Sequence, residues 1–383
     1  MSTKLGLDGV KGNTSSKTAQ LVELLCELGP DVPEISRRLG QFKESVRYRY
    51  NEKILGRGFA VQAAVDHERI GLRRLVTVLD FAKEFEPFAP AILEAMNDLC
   101  YLTSYSKTLP EGHYIVNLSA PTQFVDEIRR FFMRMRDRGM FSRLEILDFE
   151  WFRRIPMRAE LYDFDTGIWD FDFSEGRMGE FNSASFVPSA PTKFDYMDLL
   201  IVKELQKDAN KSLKEISQSL EFDYKKLVWH YNTHVLGRGL IRGYSVNWMG
   251  TKYDTNIERA LNRKHTYYAL QLLVRNVTGS EMMRIRQKID SLPFLWSEAA
   301  GKNYSAELTF PVDHIVEGLQ YIAHTMEDFR ERIEVYTVDQ SAALSFTVPY
   351  ALFDKETKKW KFDGDALAAR FEELVVRIKG GSS

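Results

Sequence analysis

The sequence lacks most of the features that mark secreted, membrane-spanning or metal-binding proteins. Its 383 residues include only two cysteines, Cys26 and Cys100, which lie far apart in apolar surroundings and outside any CxxC pair. This pattern favours buried free thiols over a disulfide or a metal site. No apolar run approaches the roughly 18 residues that a membrane span needs, and the segment to residue 16 has no continuous apolar stretch of a secretory signal. We therefore expect a soluble, cytoplasmic protein.

Motifs of common enzyme chemistry are missing as well. The chain has no glycine-rich phosphate loop, no HExxH and no Gly-x-Ser-x-Gly, each of which has a defined geometry for binding or catalysis. Its seven histidines are scattered. His230 and His234 are one helical turn apart, but no third metal ligand stands beside them in the sequence. We predict no catalytic residue, no metal, no cofactor and no enzyme.

The overall charge gives little indication of a polyanion binder, because the formal net charge is −2. Residues 35–60 differ from this average, with seven basic residues against two acidic ones. A local excess of this kind predicts an anion-binding surface more reliably than the charge of the whole chain does.

One stretch of sequence occurs twice. Residues 50–59, YNEKILGRGF, return as residues 231–240, YNTHVLGRGL. Upstream, Ile35-Ser36 returns as Ile216-Ser217 at the same offset of 181 residues, without a gap. A match of this length predicts that the chain is a tandem duplication, with an internal repeat that sets its architecture.

Each copy of this stretch ends a predicted helix-turn-helix unit. In the second copy, residues 194–205 have apolar residues at helical spacing after Asp195, which can cap a helix, and residues 213–220 predict a second helix. The first copy predicts the corresponding helices over residues 19–28 and 32–39. The buried positions predicted for the third helix are Val46, Tyr50 and Ile54 in the first copy and Leu227, Tyr231 and Val235 in the second.

Strand and helix patterns follow each unit in the order βαββαβ, which is typical of a ferredoxin-like sheet with helices on one face. Each half then ends in a predicted β-hairpin, over residues 161–172 and 352–363. Trp169 and Trp360 in these hairpins are predicted to pack in the core rather than to stack on a ligand. The predicted βαββαβ segments are residues 75–81, 87–102, 105–108, 113–118, 122–138 and 144–151, and then 267–274, 280–292, 295–300, 304–310, 313–330 and 333–338.

The helix-turn-helix units resemble those of the leucine-responsive regulator (Lrp/AsnC) family. Residues 205–217, LQKDANKSLKEIS, are similar to the opening of that family's domain. Residues 239–246, GLIRGYSV, are similar to its glycine, wing and exit strand, and residues 58–72 match the same passage in the first half. One departure is shared by both copies, because the interval from Tyr50 to Gly58, like its counterpart, is one residue longer than in the family. It predicts a reshaped end of the third helix.

The resemblance implies an α+β fold in two repeats, each a winged helix-turn-helix followed by a ferredoxin-like domain of the ACT/RAM type and an extra β-hairpin. Members of the family pair their ferredoxin-like domains into dimers, so two repeats in one chain would imitate such a dimer. The expected divisions are a flexible tail over 1–16, winged helix-turn-helix 1 over 17–71, ferredoxin-like domain 1 over 72–173, a linker over 174–192, winged helix-turn-helix 2 over 193–250 and ferredoxin-like domain 2 over 251–379.

The third helix of each unit is the predicted DNA-contacting element. If it lies in a major groove, the residues opposite its buried side face bases and phosphates. Lysines and arginines there would bind phosphates, and Arg47 would also bind a guanine edge. The predicted DNA-contacting residues are Lys43, Arg47, Tyr48, Arg49, Asn51, Lys53, Arg57, Lys225, Lys226, Trp229, His230 and Arg238.

A small-molecule site is only weakly indicated. The family's effector site lies by the turn into the third strand, where a glycine is commonly followed closely by an acidic residue. This chain has Gly112-His113 and Gly301 at those turns, with no acid in either copy. Gly112, His113 and Gly301 are therefore the candidate ligand-binding residues, and sensing of an effector is not favoured.

The predicted function is a DNA-binding transcription regulator or nucleoid-associated protein that binds duplex DNA mainly through the first unit. A first alternative is an adaptor of the transcription machinery whose winged helices contact proteins through Val228 and Trp229. A second alternative is an enzyme similar to the decarboxylases of the siroheme-to-heme branch, which use the same two-domain layout. The sequence shows no cluster of basic residues and histidine in the ferredoxin-like units, and His113 is the first residue to test for such an activity.

Overall fold

The computed structural model describes residues 8–97, 99–173, 189–249 and 267–380. These residues have a mixed α+β fold with a large antiparallel sheet. Within those ranges, no helix combines the length and the apolar character that crossing a membrane requires. Most of the expected linker, residues 174–192, and the expected start of the second ferredoxin-like domain, residues 251–266, lie outside the described residues.

The helices and strands are numbered here along the chain. The α-helices are α1 (Asp8–Leu28), α2 (Val32–Leu39), α3 (Lys43–Arg49), α4 (Ala89–Asn97), α5 (Val125–Asp137), α6 (Tyr196–Lys207), α7 (Leu213–Ser219), α8 (Tyr224–His230), α9 (Gly279–Ile289), α10 (Ile315–Thr325) and α11 (Gly364–Gly380). The strands are β1 (Ala60–Val65), β2 (Leu72–Phe81), β3 (Leu102–Leu109), β4 (Tyr114–Pro121), β5 (Phe141–Phe149), β6 (Trp151–Arg154), β7 (Tyr162–Asp163), β8 (Ile168–Trp169), β9 (Ile241–Asn247), β10 (Tyr267–Val274), β11 (Leu295–Ala300), β12 (Tyr304–Pro311), β13 (Ile333–Ser345), β14 (Phe353–Asp354) and β15 (Lys359–Trp360).

Local sequence explains where the helices of the two helix-turn-helix units begin. Asp195 caps α6 in a reciprocal capping box with Asp198, and Ser212 does the same for α7 with Glu215. Each box satisfies backbone N–H groups that the first helical turn leaves without a partner. The predicted inward positions of the third helices are confirmed at Val46, Tyr50, Ile54, Leu227 and Val235, which are all buried.

The extra residue in each third helix is accommodated by a π-helical segment. α3 continues into a π-helix over Tyr50–Leu55, and α8 continues into one over Tyr231–Leu236. The Gly56 N–H donates to the carbonyl of Asn51, five residues back, at 2.6 Å. A π-helical turn is the usual way for a helix to hold one inserted residue. The predicted reshaping of the helix end is therefore confirmed.

The repeated Gly-Arg-Gly follows from this geometry. A Cβ at Gly56 would lie 2.9 Å from the Asn51 carbonyl oxygen, and one at Gly237 would lie 2.7 Å from the Thr233 carbonyl oxygen. Gly58 and Gly239 instead have φ angles of +78° and +67°, which glycine adopts without strain. The first glycine thus makes room for the π-turn, and the second turns the chain away from it.

The two wings pair with each other. β1 and β9 form an antiparallel two-stranded sheet with Ala60 opposite Asn247 and Ala63 opposite Tyr244. The Ala209 N–H also donates to the Val61 carbonyl at 3.0 Å. This pairing holds the two predicted helix-turn-helix units side by side.

The large sheet has nine strands in the order β5-β2-β4-β3-β13-β10-β12-β11-β6. Its first four strands and the next four from β13 to β11 have the same arrangement, with the last strand of each set beside the first. β13 pairs with β10 through Ile333 to Val338 and then with β3 through Thr337 to Ser345. β5 pairs with β2, and β6, which follows it after Glu150, pairs with β11. β13 thus also pairs with a strand of the first set, and β6, which follows the first set in sequence, pairs with a strand of the second set.

Alternate residues of these strands enter two different cores. Leu75 and Leu79 of β2 belong to the main core with the helices, whereas Val76 and Val78 join a second buried cluster with Leu273 and other residues of β10, β11 and β13. Because successive side chains of a strand point to opposite faces, one face of the sheet packs on helices and the other packs on the opposite set of strands.

The structure confirms the two predicted core tryptophans and adds strand and helix segments that were not predicted. Trp169 and Trp360 are buried, as predicted, and Trp360 Nε1 donates to the Ile70 carbonyl at 2.8 Å. β6 and the second part of β13 were not predicted, because their pairing partners lie far away in the sequence. Helix α11 was not predicted either, and it packs on α5 with the Phe371 and Phe131 rings 5.3 Å apart.

Candidate functional site

The predicted DNA-contacting residues fall into two groups. Seven are exposed on the third helices, where Lys43, Arg47, Lys225 and Lys226 make no ion pair within the described part of the chain. Two large aromatic side chains are also exposed there, Tyr48 at 67% and Trp229 at 53%. The seven exposed residues are Lys43, Arg47, Tyr48, Asn51, Lys225, Lys226 and Trp229.

The other predicted DNA-contacting residues are held by partners inside the chain. Lys53 Nζ lies 2.7 Å from Asp165 Oδ1, and Arg57 donates to the carbonyl of the same residue at 3.0 Å. These contacts place the β7–β8 hairpin against the first wing. Arg49 donates to Gln41, Arg238 donates to the Lys193 carbonyl, and His230 turns inward to Asp198.

The weak ligand-binding candidates do not come together in a cavity. His113 Nδ1 lies 2.5 Å from Asp80 Oδ1, and its Nε2 is 3.2 Å from Arg143. A Cβ at Gly301 would be 3.0 Å from the Glu150 backbone nitrogen, so this glycine permits close packing on the β5–β6 link. Gly112 has a φ angle of +77° in the β3–β4 turn. Each residue therefore has a structural explanation.

Two neighbouring polar cavities lie between the two sets of strands, and Gln62 of β1 lines both. A cavity of about 170 Å³ and a smaller one of about 60 Å³ share Gln62, Ser104, Arg154 and Trp296 in their linings. The larger is also lined by strands β4, β10, β12 and β13, and the smaller by β2 and β6. Clefts where apolar walls carry a few converging polar groups are the usual place for a ligand.

Two arginines and one glutamate carry the charge in these linings. Arg74 Nη2 lies 3.7 Å from Glu307 Oε1, and Arg154 Nη1 lies 3.9 Å from Glu307 Oε2. The Arg74 guanidinium is over the Phe152 ring at 4.5 Å, and that of Arg154 is over the Trp296 ring at 4.7 Å. Arg154 thus lines both cavities and Arg74 lines the smaller one, and each guanidinium lies between an aromatic face and the shared Glu307 carboxylate.

Burial changes the acid–base behaviour of two lining residues. Burial lowers the pKa of Arg74 to about 10. Burial, followed by the charge of Arg74, lowers the pKa of His67 to about 3, so its imidazole is neutral near pH 7. His67 Nδ1 lies 2.7 Å from Ser119 Oγ. The linings of the two cavities together therefore contain two cations, one anion and one neutral histidine.

The sequence analysis missed this cluster, which joins two arginines of the first predicted ferredoxin-like unit to His67 of the preceding unit. The members come from the link after β1, from β2 and from β6, whose pairing was not predicted. The available signal was the pair Arg73-Arg74 inside an otherwise apolar strand, since a charged residue on a buried sheet face needs a specific partner.

No protein-family model matches the sequence, and no curated protein is significantly similar to it. Among solved structures, the siroheme decarboxylase NirDL matches with a TM-score of 0.50 at 10% identity, over 95% of this chain and 99% of that chain. NirDL in complex with an iron-uroporphyrin III analogue matches with a TM-score of 0.51 at 10% identity, over 94% of this chain and 99% of that chain. At this identity the similarity shows a shared fold.

Regulators of the Lrp/AsnC type match a smaller part of the chain. LrpC of Bacillus subtilis matches with a TM-score of 0.26 at 15% identity, over 39% of this chain and 96% of that chain. An AsnC-family regulator of Pyrococcus furiosus matches with a TM-score of 0.27 at 15% identity, over 37% of this chain and 89% of that chain. Scores this low carry no argument about function.

The prediction that the protein is not an enzyme was wrong. Two solved structures that match nearly the whole chain are those of an enzyme, the siroheme decarboxylase NirDL. The sequence analysis gave most weight to the helix-turn-helix pattern. It gave less weight to the two-domain layout, which it had expected for regulators and for decarboxylases alike.

Proposed function

We propose that the protein is a decarboxylase of the siroheme decarboxylase type, which binds a carboxylate-bearing tetrapyrrole substrate at the cavity between its two sets of strands. The observation that carries the proposal is the placement of two guanidiniums, those of Arg74 and Arg154, around the single carboxylate of Glu307. The match of nearly the whole chain to NirDL supports it at the level of fold.

The charge in the cavity favours an anionic ligand. With His67 neutral, the two arginines exceed Glu307 by one positive charge. Arg154 Nη1 is buried and has no hydrogen-bond partner within the described residues, and a buried donor without a partner costs about 1–3 kcal/mol. A substrate carboxylate would satisfy this donor and balance the charge.

The size of the cavity indicates how the substrate binds. The larger cavity, about 170 Å³, is below the roughly 300–1,000 Å³ of ordinary small-molecule pockets. It is therefore suited to one carboxylate-bearing arm of a tetrapyrrole, with the macrocycle outside. In the reaction, the bond between a side-chain carboxylate and its methylene carbon breaks, CO₂ leaves, and the electron pair that stays on carbon takes up a proton. Arg154, which lines both cavities, would anchor the substrate for this step, with Arg74 beside it in the smaller cavity.

Binding is tested by absorbance titration of the purified protein with iron-uroporphyrin III. We expect Arg154→Ala to weaken binding about 10- to 100-fold, because a hydrogen bond to a charged group contributes about 1.5–3 kcal/mol. His324→Gln, an exposed histidine of α10 that lines neither cavity, is the control and should bind as the wild type does. Equal affinities of the wild type and both variants would show that the tetrapyrrole does not bind at this cavity.

Activity is tested by anaerobic incubation with siroheme and mass spectrometry of the tetrapyrrole. The expected result is a product that has lost CO₂, formed more slowly by Arg154→Ala. An unchanged siroheme mass, together with no binding of iron-uroporphyrin III, would overturn the proposed function.

A second candidate function, binding of duplex DNA, is favoured by the exposed face of α3. Lys43 and Arg47 there have no partner within the described residues and flank the exposed Tyr48. Cations placed in this way bind phosphates and release counterions. The Lys43→Ala, Arg47→Ala double variant should lose affinity for a DNA duplex at low salt, and Lys225→Ala, Lys226→Ala shows whether α8 contributes. If the protein binds DNA, we also expect it to form a homodimer and to associate with the nucleoid.

We also infer that the two halves are copies of one unit, with the divisions given under Sequence analysis. Arg74 of β2 lies opposite Ser119 and Phe149, and Ala269 of β10 lies opposite Thr309 and Val338 in the corresponding register. The cavity residues differ between these copies, since alanine stands where the first half has arginine. The halves would share a fold and differ in their part of the substrate site.

A further inference from the structure

A second cluster of polar side chains lies in the helix-turn-helix unit of the second half, away from the cavity. Asp195 and Asp198 are in the first turn of α6, and His230 and His234 are at the end of α8 and in the π-helical segment after it. One nitrogen or oxygen atom from each of these four side chains lies within 4.8 Å of the others. The third metal ligand that the sequence did not show is therefore present, 32 residues before His230.

Both histidines turn the same ring atom toward one carboxylate. His230 Nδ1 lies 2.8 Å from Asp198 Oδ1, and His234 Nδ1 lies 3.0 Å from both Asp198 oxygens. Asp195 Oδ1 is 3.7 Å from His230 Nδ1. The Asp198 side chain has no solvent exposure, and His234 is buried. His234 Nε2 has no hydrogen-bond partner within the described residues, so its contacts with Asp198 orient the ring.

We propose that these four side chains bind one divalent transition-metal ion of the Zn²⁺ type. Zinc takes four nitrogen or oxygen ligands at about 2.0–2.2 Å, which places neighbouring ligand atoms of a tetrahedron about 3.4 Å apart. The separations of 2.8 and 3.0 Å from Asp198 to the two histidines, and of 3.7 Å between Asp195 and His230, are close to that value. Imidazole with carboxylate is a ligand set for Zn²⁺ and its first-row neighbours rather than for Mg²⁺ or Ca²⁺.

The π-helical segment contributes directly to this arrangement. It continues the helix through His234, one turn after His230, so that both rings face the start of α6. The capping box of α6 fixes the two carboxylates, because Asp195 Oδ1 accepts from the Met197 N–H and Asp198 Oδ2 accepts from the Asp195 N–H. A bound ion would therefore fasten the third helix to the first.

The first half cannot form the same site. At the positions 181 residues earlier it has Arg49 and Lys53 in place of the two histidines, and Lys17 in place of Asp198. Arg49 donates to Gln41, and Lys53 pairs with Asp165. The proposal therefore predicts one metal ion per chain and not two.

The main experiment is calorimetric titration of the chain with Zn²⁺ after removal of bound metal by a chelator. We expect one equivalent to bind, and we expect His230→Gln to weaken binding at least about 100-fold, as loss of a direct ligand exceeds the effect of an outer partner. His324→Gln, an exposed histidine of α10, is the control and should bind Zn²⁺ as the wild type does. Zinc binding that survives His230→Gln would overturn the proposal.

Asp195→Asn keeps the proposal testable if a histidine variant folds poorly. Asparagine caps a helix as well as aspartate does, so α6 should keep its start, while a charged ligand is lost. We expect circular dichroism like that of the wild type and Zn²⁺ affinity at least about 10-fold weaker. A normally folded Asp195→Asn with unchanged affinity would contradict the proposed ligand set.

A spectroscopic test locates the ion. The Trp229 ring centroid lies 4.6 Å from that of His234 and 5.0 Å from that of His230. Co²⁺ should give a visible absorption band of a tetrahedral site and quench tryptophan fluorescence. Trp229→Phe should keep the band and lose most of the quenching. Quenching that persists in Trp229→Phe, or Co²⁺ that gives no band, would count against this position.

Discussion

Arg286 Nη2 lies 2.7 Å from Glu298 Oε1, and neither side chain has any exposure to solvent. Arg153 of β6 reaches the same Glu298 oxygen at 2.5 Å, and Tyr304 donates to its other oxygen at 3.0 Å. The carboxylate thus joins α9 and β11 of the second half to a strand contributed by the first half.

Removal of this carboxylate should destabilise the protein strongly. Glu298→Ala removes the carboxylate that pairs with the buried Arg286, and breaking a buried ion pair lowers the free energy of unfolding by about 3–5 kcal/mol. Asp328→Ala is the control, because its pair with Arg284 is more than half exposed and should contribute about 0–1 kcal/mol. Urea denaturation measures both. Equal small losses would show that the buried pair contributes no more than a surface pair.

The π-helical segment can be tested at its glycine. Gly56 has a φ angle of −62°, so alanine there would strain no backbone angle, but its Cβ would press on the Asn51 carbonyl. Overpacking of this kind costs about 1–3 kcal/mol. Gly279→Ala at the start of α9, where no atom lies within 4 Å of the new Cβ, should be neutral or stabilise by up to about 1 kcal/mol. Similar thermal denaturation midpoints for the two variants would contradict this steric explanation.

Stability should depend on pH through Glu68. Burial raises the pKa of Glu68 to about 7. Although burial also acts on Asp66, its hydrogen bond and ion pair with Arg242 hold the Asp66 pKa below its ordinary value. Because the pKa of Glu68 is raised on folding, its contribution is complete below the unfolded value of about 4.3 and is lost as pH rises through about 7.

The Glu68→Gln variant isolates this contribution. It should match the wild type in stability near pH 4 and exceed it by on the order of 1–3 kcal/mol near pH 8. A comparison with wild type is needed because the lowered pKa of His67 has the opposite effect, with stability lost as pH falls below about 6.5. Urea denaturation at the two pH values gives the difference, and a constant difference would show that Glu68 does not titrate in this range.

The second candidate function makes its own prediction at Asp165. Asp165→Ala removes the carboxylate that holds Lys53 and leaves this lysine free to bind a phosphate. If α3 binds DNA, affinity for a duplex should rise at low salt, and the slope of log K against log salt should steepen by about 0.9. Fluorescence anisotropy measures both quantities. Glu356→Ala, in the corresponding turn of the β14–β15 hairpin, is the control. Unchanged binding by Asp165→Ala would argue against α3 as the DNA surface.

The parts of the fold that were predicted from the sequence are those with local signals. Helical spacing indicated Val46, Tyr50 and Ile54 as inward residues, and the extra residue before Gly58 indicated a distorted helix. The pairing of β6 with β11 and of β13 with β3 had no such signal, because a strand's partner is not encoded in its own periodicity.

Both candidate sites were missed for the same reason. Arg74 and Arg154 meet only because β2 and β6, which are not neighbours in the sheet order, approach each other in space. His230 and His234 were noticed as a pair, but Asp198 belongs to another helix, and its approach depends on how the three helices pack. Residue types and spacing indicate candidates within one element, whereas a site built from several elements requires the tertiary structure.

The crossing of β6 has a consequence for synthesis of the protein. β6 ends at Arg154, but its partner β11 starts at Leu295, so the ribosome must add about 140 further residues before the strands can pair. During that time the first half exposes an unpaired strand edge, which is a common starting point for aggregation. The nascent chain should therefore depend on a chaperone, or on rapid translation of the second half, to reach the native state in good yield.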